Sequence, residues 1–305
     1  VKPSAFAYHR PGTVDEAVAT LAGVGDDGKV LAGGQSLVPM LNMRLAAPAH
    51  LVDVNRVDGL DEVRVVDDGA GASVRVGAAA RHTDVEHDAE VAAVLPLLRQ
   101  ALEHVAHPTI RNRGTTVGSL VHADPAAELN AVLALLGGSV TLRSTTGSRV
   151  VNASELVTGP MQTCLRPDEL ATEAAFPVPQ GHTGTAWTEV SRRAGDYAVC
   201  GVGVLVTVDD ELRVRSARAA YVSMGPVPEV LDLTEPVAGI AAGGARPDEW
   251  AAAGRLATAR LEPDDDIHAT AAYRGHLAGV LTARAARAAA ERAVARAGDT
   301  TGAST

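Results

Sequence analysis

Two stretches of this chain place glycines, hydroxyls and capping residues where an anionic group could be held. The first is Lys29-Val30-Leu31-Ala32-Gly33-Gly34-Gln35-Ser36-Leu37. Val30-Leu31-Ala32 has the length of a buried strand and runs straight into the glycine pair. Gly33 and Gly34 can adopt positive φ and, lacking Cβ atoms, let a bound group come close to the backbone. Successive N–H groups in such a turn make a concave site suited to phosphate or pyrophosphate, to which the Ser36 hydroxyl adds a donor. A glycine pair between strand and helix is also ordinary turn chemistry, and this one is neither a G-x-G-x-x-G fingerprint nor a P-loop. The second stretch is Arg111-Asn112-Arg113-Gly114-Thr115-Thr116-Val117-Gly118-Ser119-Leu120, followed by His122-Ala123-Asp124-Pro125-Ala126-Ala127-Glu128. Asp124 ahead of Pro125 reads as an N-cap with proline at the first position of a helix over 125–136.

No independent catalytic apparatus accompanies these loops. The ten histidines include no H-E-x-x-H, and no G-x-S-x-G elbow is present. His104 and His107 are three apart without a third ligand in an obvious position, so no metal site is expected. Cys164 and Cys200, the two cysteines, cannot make a zinc site, an iron–sulfur cluster or a disulfide framework. Demanding chemistry would then belong to a cofactor that the protein binds and tunes.

The elements that must position the loops are legible in outline. Thr13 and Glu16 form a capping-box pattern at the start of a helix, and Leu51-Val52-Asp53-Val54 reads as the strand after the first loop. Residues 63–66 and 73–76 alternate about Asp67-Asp68-Gly69, and 140–143 and 149–151 about Ser-Thr-Thr-Gly, as hairpins do. Residues 83–104 read as helix with a break at Pro96. In the last third, 186–190, 199–208 and 212–223 predict a three-stranded antiparallel sheet, with helices over 250–261 and 269–297. Length predicts two domains, with a boundary in Pro179-Gln180-Gly181. The net charge of −10 argues against nucleic acid and anionic membrane as partners. No apolar run has the length of a membrane span and no signal peptide opens the sequence, so the expected compartment is the cytoplasm.

Taken together, the two loops and Arg192-Arg193-Ala194-Gly195-Asp196-Tyr197-Ala198 resemble the FAD-binding medium subunits of molybdenum hydroxylases, of the xanthine dehydrogenase and carbon monoxide dehydrogenase type. The resemblance runs from Lys2 to about residue 290. It implies an α+β protein. A two-part α/β FAD-binding domain related to vanillyl-alcohol oxidase would span 1–179 (subdomains about 1–55 and 56–179), a smaller C-terminal domain 180–298, and a disordered tail 299–305. It also implies FAD, its pyrophosphate between residues 32–36 and 115–119 and its ribitol or ribose at Asp124 or Glu128. Tyr197 would lie over the isoalloxazine and Leu165 by the adenine, while Lys29 and Leu37 flank the first loop. Related covalent flavoproteins carry histidine where Gln35 stands, so the FAD is expected to be non-covalent.

The chain departs from the resemblance where the family usually carries a glycine pair: it has Val117-Gly118, with Thr116 before them. Because a β-branched residue is disfavoured at positive φ, either that position is extended or the second loop is reshaped and FAD binds less closely. The implied function is transfer of electrons from partner iron–sulfur clusters through FAD to a final acceptor. The partners would be an iron–sulfur small subunit and a molybdopterin-binding large subunit. Two alternatives stay open at this point: a stand-alone FAD oxidoreductase acting directly on a small organic substrate, and a binding module that has lost FAD.

Overall fold

A computed structural model describes residues 2–302 apart from 68, 70 and 245. The chain divides into two compact units that interleave along the sequence: residues 1–91, 107–124 and 137–177, and residues 92–106, 125–136 and 178–305.

The first unit begins with a three-stranded parallel sheet, in the order β1 (Ala7–His9), β3 (His50–Asp53), β2 (Gly28–Leu31). Helix α1 (Val14–Val24) opens as its sequence requires: Thr13 accepts from the Glu16 N–H at 3.2 Å, and the Glu16 carboxylate accepts from the Gly12 N–H at 2.7 Å. Ala17, Val18 and Leu21 are its buried stripe. Helix α2 (Leu37–Met43) follows the first glycine loop and ends at Arg44, which takes left-handed φ. Five antiparallel strands form a second sheet, in the order β4 (Val63–Asp67), β5 (Ala72–Gly77), β10 (Leu170–Pro177), β6 (Ser139–Ser144), β7 (Gly147–Asn152). Both expected hairpins are present. The central strand β10 carries no clear alternation in the sequence, because a bulge between Ala171 and Glu173 shifts its register and Pro177 ends it just before the expected boundary.

The helix expected over 83–104 is three short ones: α3 (His82–His87), α4 (Ala89–Val94) and α5 (Pro96–Leu102), broken at Asp88 and Leu95. Short helix α6 (Pro108–Arg111) precedes α7 (Thr116–His122), which carries the second loop's residues, and α9 (Ala153–Leu156) leads to the two-stranded ribbon β8 (Val157–Gly159) and β9 (Gln162–Thr163).

The second unit contains four antiparallel strands where three were expected: β11 (His182–Ser191), β12 (Ala198–Val208), β13 (Val214–Val222) and β14 (Glu229–Asp232). The fourth has only four residues and follows Pro226 and Pro228, so no alternation announces it. Helices pack on both faces of this sheet. Val202, Val204 and Val206 share a core with Leu281, Ala285 and Ala289 of α12 (Ala271–Gly302), while Gly203, on the other face, meets Trp187 and Leu135 of α8 (Glu128–Leu136). Burial on both faces accounts for the unbroken apolar run of β12. At Gly184 an added Cβ would lie 2.0 Å from the Ala289 carbonyl oxygen, so strand and helix meet backbone to backbone. Helices α10 (Thr234–Val237) and α11 (Ala251–Arg260) complete the unit. Helix α12 runs to Gly302, into the segment expected as a tail; residues 303–305 lie outside the described residues. No helix among the described residues is long and apolar enough to cross a membrane.

Candidate functional site

The first loop is a cradle of unpaired donors. Gly34 takes φ +74°, and the backbone N–H groups of residues 33–37 make no hydrogen bond within the chain among the described residues. The Val38 N–H turns back to the Gly34 carbonyl at 3.0 Å, which starts α2. Ser36 sits at the N-cap without using its hydroxyl on the helix. Gln35 folds inward, donating from Nε2 to the Gly33 carbonyl at 3.1 Å, so its side chain shapes the loop. Lys29 is exposed on β2.

The second loop is brought against the first. A Cβ on Gly33 would lie 2.3 Å from the Arg113 carbonyl oxygen and 2.7 Å from the Gly114 Cα. One on Gly118 would lie 3.8 Å from the Ala32 Cβ. Residues 116–119 are not an open loop, which corrects the sequence reading. Thr115 caps α7, accepting from the Gly118 N–H at 3.2 Å, and Thr116 and Val117 are its first two residues. Val117 therefore needs no positive φ: it is helical and buried, which removes the reason to expect a strained loop. Thr116 is also fully buried, its hydroxyl 3.4 Å from His82 Nδ1. Burial pushes the His82 imidazole down to about 4, with the Arg111 guanidinium acting in the same direction, and holds it neutral under α7. Arg111 is itself held by a bidentate bond to buried Glu86, at 2.6 and 3.0 Å.

The helix expected over 125–136 begins later, at Glu128, as α8; a turn at residues 125–126 precedes it, and the Pro125 carbonyl accepts from the Ser223 N–H at 2.9 Å. Asp124 is half-buried beside His122, on the last turn of α7. Burial lowers the His122 pKa, Asp124 opposes this, and Lys29 adds to it, so Lys29, His122 and Asp124 share one neighbourhood of the first unit. Leu165 belongs to the same unit and is half-buried just after β9, while the Met161 N–H at the β8–β9 turn donates to Ala123 at the end of α7. Glu128 and Tyr197 belong to the second unit. Glu128 is buried, whereas Tyr197, between β11 and β12, is 68% exposed.

Sequence reasoning missed three members of the neighbourhood. Asn55 donates from Nδ2 to the Ala32 carbonyl at 2.8 Å, and Arg81 donates to Asn55 Oδ1 at 2.7 Å and to the Arg113 carbonyl at 2.8 Å. Neither carries a motif. The third, His122, was visible within His-Ala-Asp-Pro but was read only as part of the loop pattern.

This donor set fits the diphosphate of a dinucleotide: a run of free N–H groups, a left-handed glycine and the unengaged hydroxyl of Ser36 beside the start of α7. An α/β unit with such a cradle, joined to an antiparallel sheet backed by a long helix, defines a flavoprotein subunit. Residues 4–179 match the FAD binding domain in molybdopterin dehydrogenase, and residues 185–289 match the CO dehydrogenase flavoprotein C-terminal domain. The chain is 38% identical over 296 residues to the caffeine dehydrogenase subunit beta of Pseudomonas sp. strain CBB1, covering 96% of this chain and 98% of the relative. It is 33% identical to the carbon monoxide dehydrogenase medium chain of Hydrogenophaga pseudoflava, over 94% and 98% of the two chains. The crystal structure of quinoline 2-oxidoreductase from Pseudomonas putida 86 superposes with a TM-score of 0.89 at 34% identity, covering 96% of this chain and 99% of that one. The chain belongs to the family of FAD-binding medium subunits of molybdenum hydroxylases, and is an oxidoreductase subunit whose cofactor is FAD.

Proposed function

We propose that residues 32–37 and 115–119 hold the FAD pyrophosphate non-covalently, and that this chain works with an iron–sulfur small subunit and a molybdopterin-binding large subunit. The run of free N–H groups from Gly33 to Leu37 is the observation that carries the cofactor assignment. These donors are fixed by the fold before any ligand arrives, so an anion replaces their water without reorganising the backbone. Within the first unit, Asp124 holds ribose or ribitol hydroxyls and Leu165 flanks the adenine. The Thr116 hydroxyl is 3.4 Å from His82 Nδ1 and the Val117 side chain is buried, so these two side chains shape α7 while the backbone of the segment faces the pyrophosphate. Bound FAD supplies the ability to collect electrons from one-electron donors and pass them to an acceptor. The chain has two cysteines, too few to hold a cluster, so any electrons that reach the FAD from an iron–sulfur centre arrive from another chain. Both thiols are free, consistent with a cytoplasmic protein.

An irregular second loop would favour a stand-alone oxidoreductase, and residues 116–122 form the regular helix α7. The direct test is to titrate the apo chain with FAD and record its visible spectrum before and after dithionite. Stoichiometric uptake and bleaching are expected. A colourless chain that takes up no FAD overturns the assignment. Co-expression with the neighbouring genes tests the partners, and failure to copurify iron–sulfur and molybdenum chains counts against them.

A further inference from the structure

We propose that Asn55 and Arg81 are positioning residues that set the spacing of the two loops for the FAD pyrophosphate. This rests on the cradle reading above and extends it to side chains that do not themselves face the nucleotide.

The two residues form one continuous strut. Asn55 follows β3 and points its amide at the first loop, with Nδ2 2.8 Å from the Ala32 carbonyl and 3.5 Å from the Leu31 carbonyl. Its Oδ1 accepts from one terminal nitrogen of Arg81 at 2.7 Å. Another Arg81 nitrogen reaches the Arg113 carbonyl at 2.8 Å. That same carbonyl occupies the place where Gly33 has no Cβ. The strut therefore ends on the two backbone segments that touch each other in the cradle. Its orientation is determined: turning the Asn55 amide over would set an NH2 group against a guanidinium and a carbonyl oxygen against two carbonyl oxygens.

Both ends are anchored outside the loops. Asp53 accepts from the Asn55 N–H at 2.9 Å and from the Tyr8 hydroxyl, which holds its carboxyl below the ordinary carboxylate range against the opposing effect of burial. The Arg81 N–H donates to Asp84 at 3.0 Å, and the His82 N–H donates to the Gly114 carbonyl at 2.9 Å. A guanidinium suits this junction because it is planar and carries several donors in fixed directions, so it can hold an amide oxygen and a carbonyl oxygen at once. An ammonium is a point donor and must favour one of them.

The experiment uses the full chain in apo form. FAD dissociation constants and apo melting temperatures are measured for wild type, Asn55→Asp, Arg81→Lys, the double variant and Gly34→Val. Asn55→Asp keeps the acceptor for Arg81 but turns the donor facing Ala32 into a carboxylate oxygen. Arg81→Lys keeps the charge but only one of the two contacts. Each is expected to weaken FAD by about tenfold. The apo melting temperature of Arg81→Lys should stay within a few degrees of wild type, while that of Asn55→Asp falls further because its new carboxylate oxygen stands where Nδ2 was, 2.5 Å from Asp53 Oδ1. The double variant should bind FAD little more weakly than either single one, because all three break the same strut. A lower melting temperature with unchanged FAD affinity in both single variants makes the residues scaffold only and overturns the proposal. So does full additivity. Gly34→Val separates the two levels: if it weakens FAD while Asn55→Asp and Arg81→Lys do not, the strut is wrong and the cradle stands. If all three leave FAD unchanged, the cradle reading fails and takes the strut with it.

Discussion

At the scale of single residues, glycine is used twice in one loop for different reasons. Gly34 is needed for its backbone, at φ +74°, whereas Gly33 is needed for what lies beside it, the Arg113 carbonyl at 2.3 Å from where a Cβ would be. Gly33→Ala must therefore push the two loops apart. It is expected to destabilise the apo chain by about 1–3 kcal/mol and to weaken FAD by about tenfold, read from urea melts and FAD titration. An unaltered apo stability would show that the loops separate freely and do not brace one another. Val117 carries the opposite lesson. The sequence reading made glycine the better residue there, but Val117 is a buried residue of α7, and Val117→Gly removes its whole side chain and adds helix-interior glycine. The expected loss is about 3 kcal/mol of stability with no gain in FAD affinity, measured on the same two instruments.

At the scale of elements, what was legible was what is local. The hairpins of β4 with β5 and β6 with β7 announce themselves by alternation and a glycine-bearing turn within a dozen residues. Strands β1 and β14, at three and four residues, carry too little pattern to be read. The purpose of Gly33, Asn55 and Arg81 was hidden because their partners are distant in sequence: Ala32 is 23 residues from Asn55, and Arg113 is 32 from Arg81. Sequence shows the residue, but only the fold brings the carbonyl to it. Helix α7 gives a second element-scale prediction through His82, buried beneath it at a pKa of about 4 against an ordinary 6.5. Above pH 6.5 both folded and unfolded states are neutral at this residue, and it has no effect. Between pH 6.5 and 4 only the unfolded chain takes up the proton, so stability falls as pH falls, by about 3 kcal/mol in all, and then levels off. His104 works in the other direction, since its hydrogen bond to Glu189 raises its pKa despite burial. The informative quantity is thus the difference between wild type and His82→Gln in urea melts from pH 7 to 4. The variant should lose one proton's worth of slope in that window; an identical slope would mean that His82 is not buried neutral.

At the scale of the whole molecule, the first unit offers a backbone prepared for a diphosphate, and the proposed partner chains would supply the electrons. Nothing in the described residues groups three or more histidine, cysteine, aspartate or glutamate side chains as a metal site would, and the two cysteines cannot ligate a cluster. Dithionite, a small soluble reductant, should bleach the FAD of the isolated chain fully. Organic compounds that a molybdenum hydroxylase oxidises, such as N-heteroaromatics, should leave it oxidised, because the proposed function places the centre that attacks them in a partner chain. Adding the iron–sulfur and molybdenum chains should restore bleaching by the organic substrate. Salt should slow that restoration if charge steers the assembly of this acidic chain with its partners, since exposed charges more than about 8–10 Å apart are screened near physiological ionic strength. Anaerobic stopped-flow absorbance of the flavin distinguishes the cases. Rapid bleaching of the isolated chain by an organic substrate, at a rate unaffected by the other subunits, would make this a self-sufficient oxidoreductase and remove the need for partners altogether.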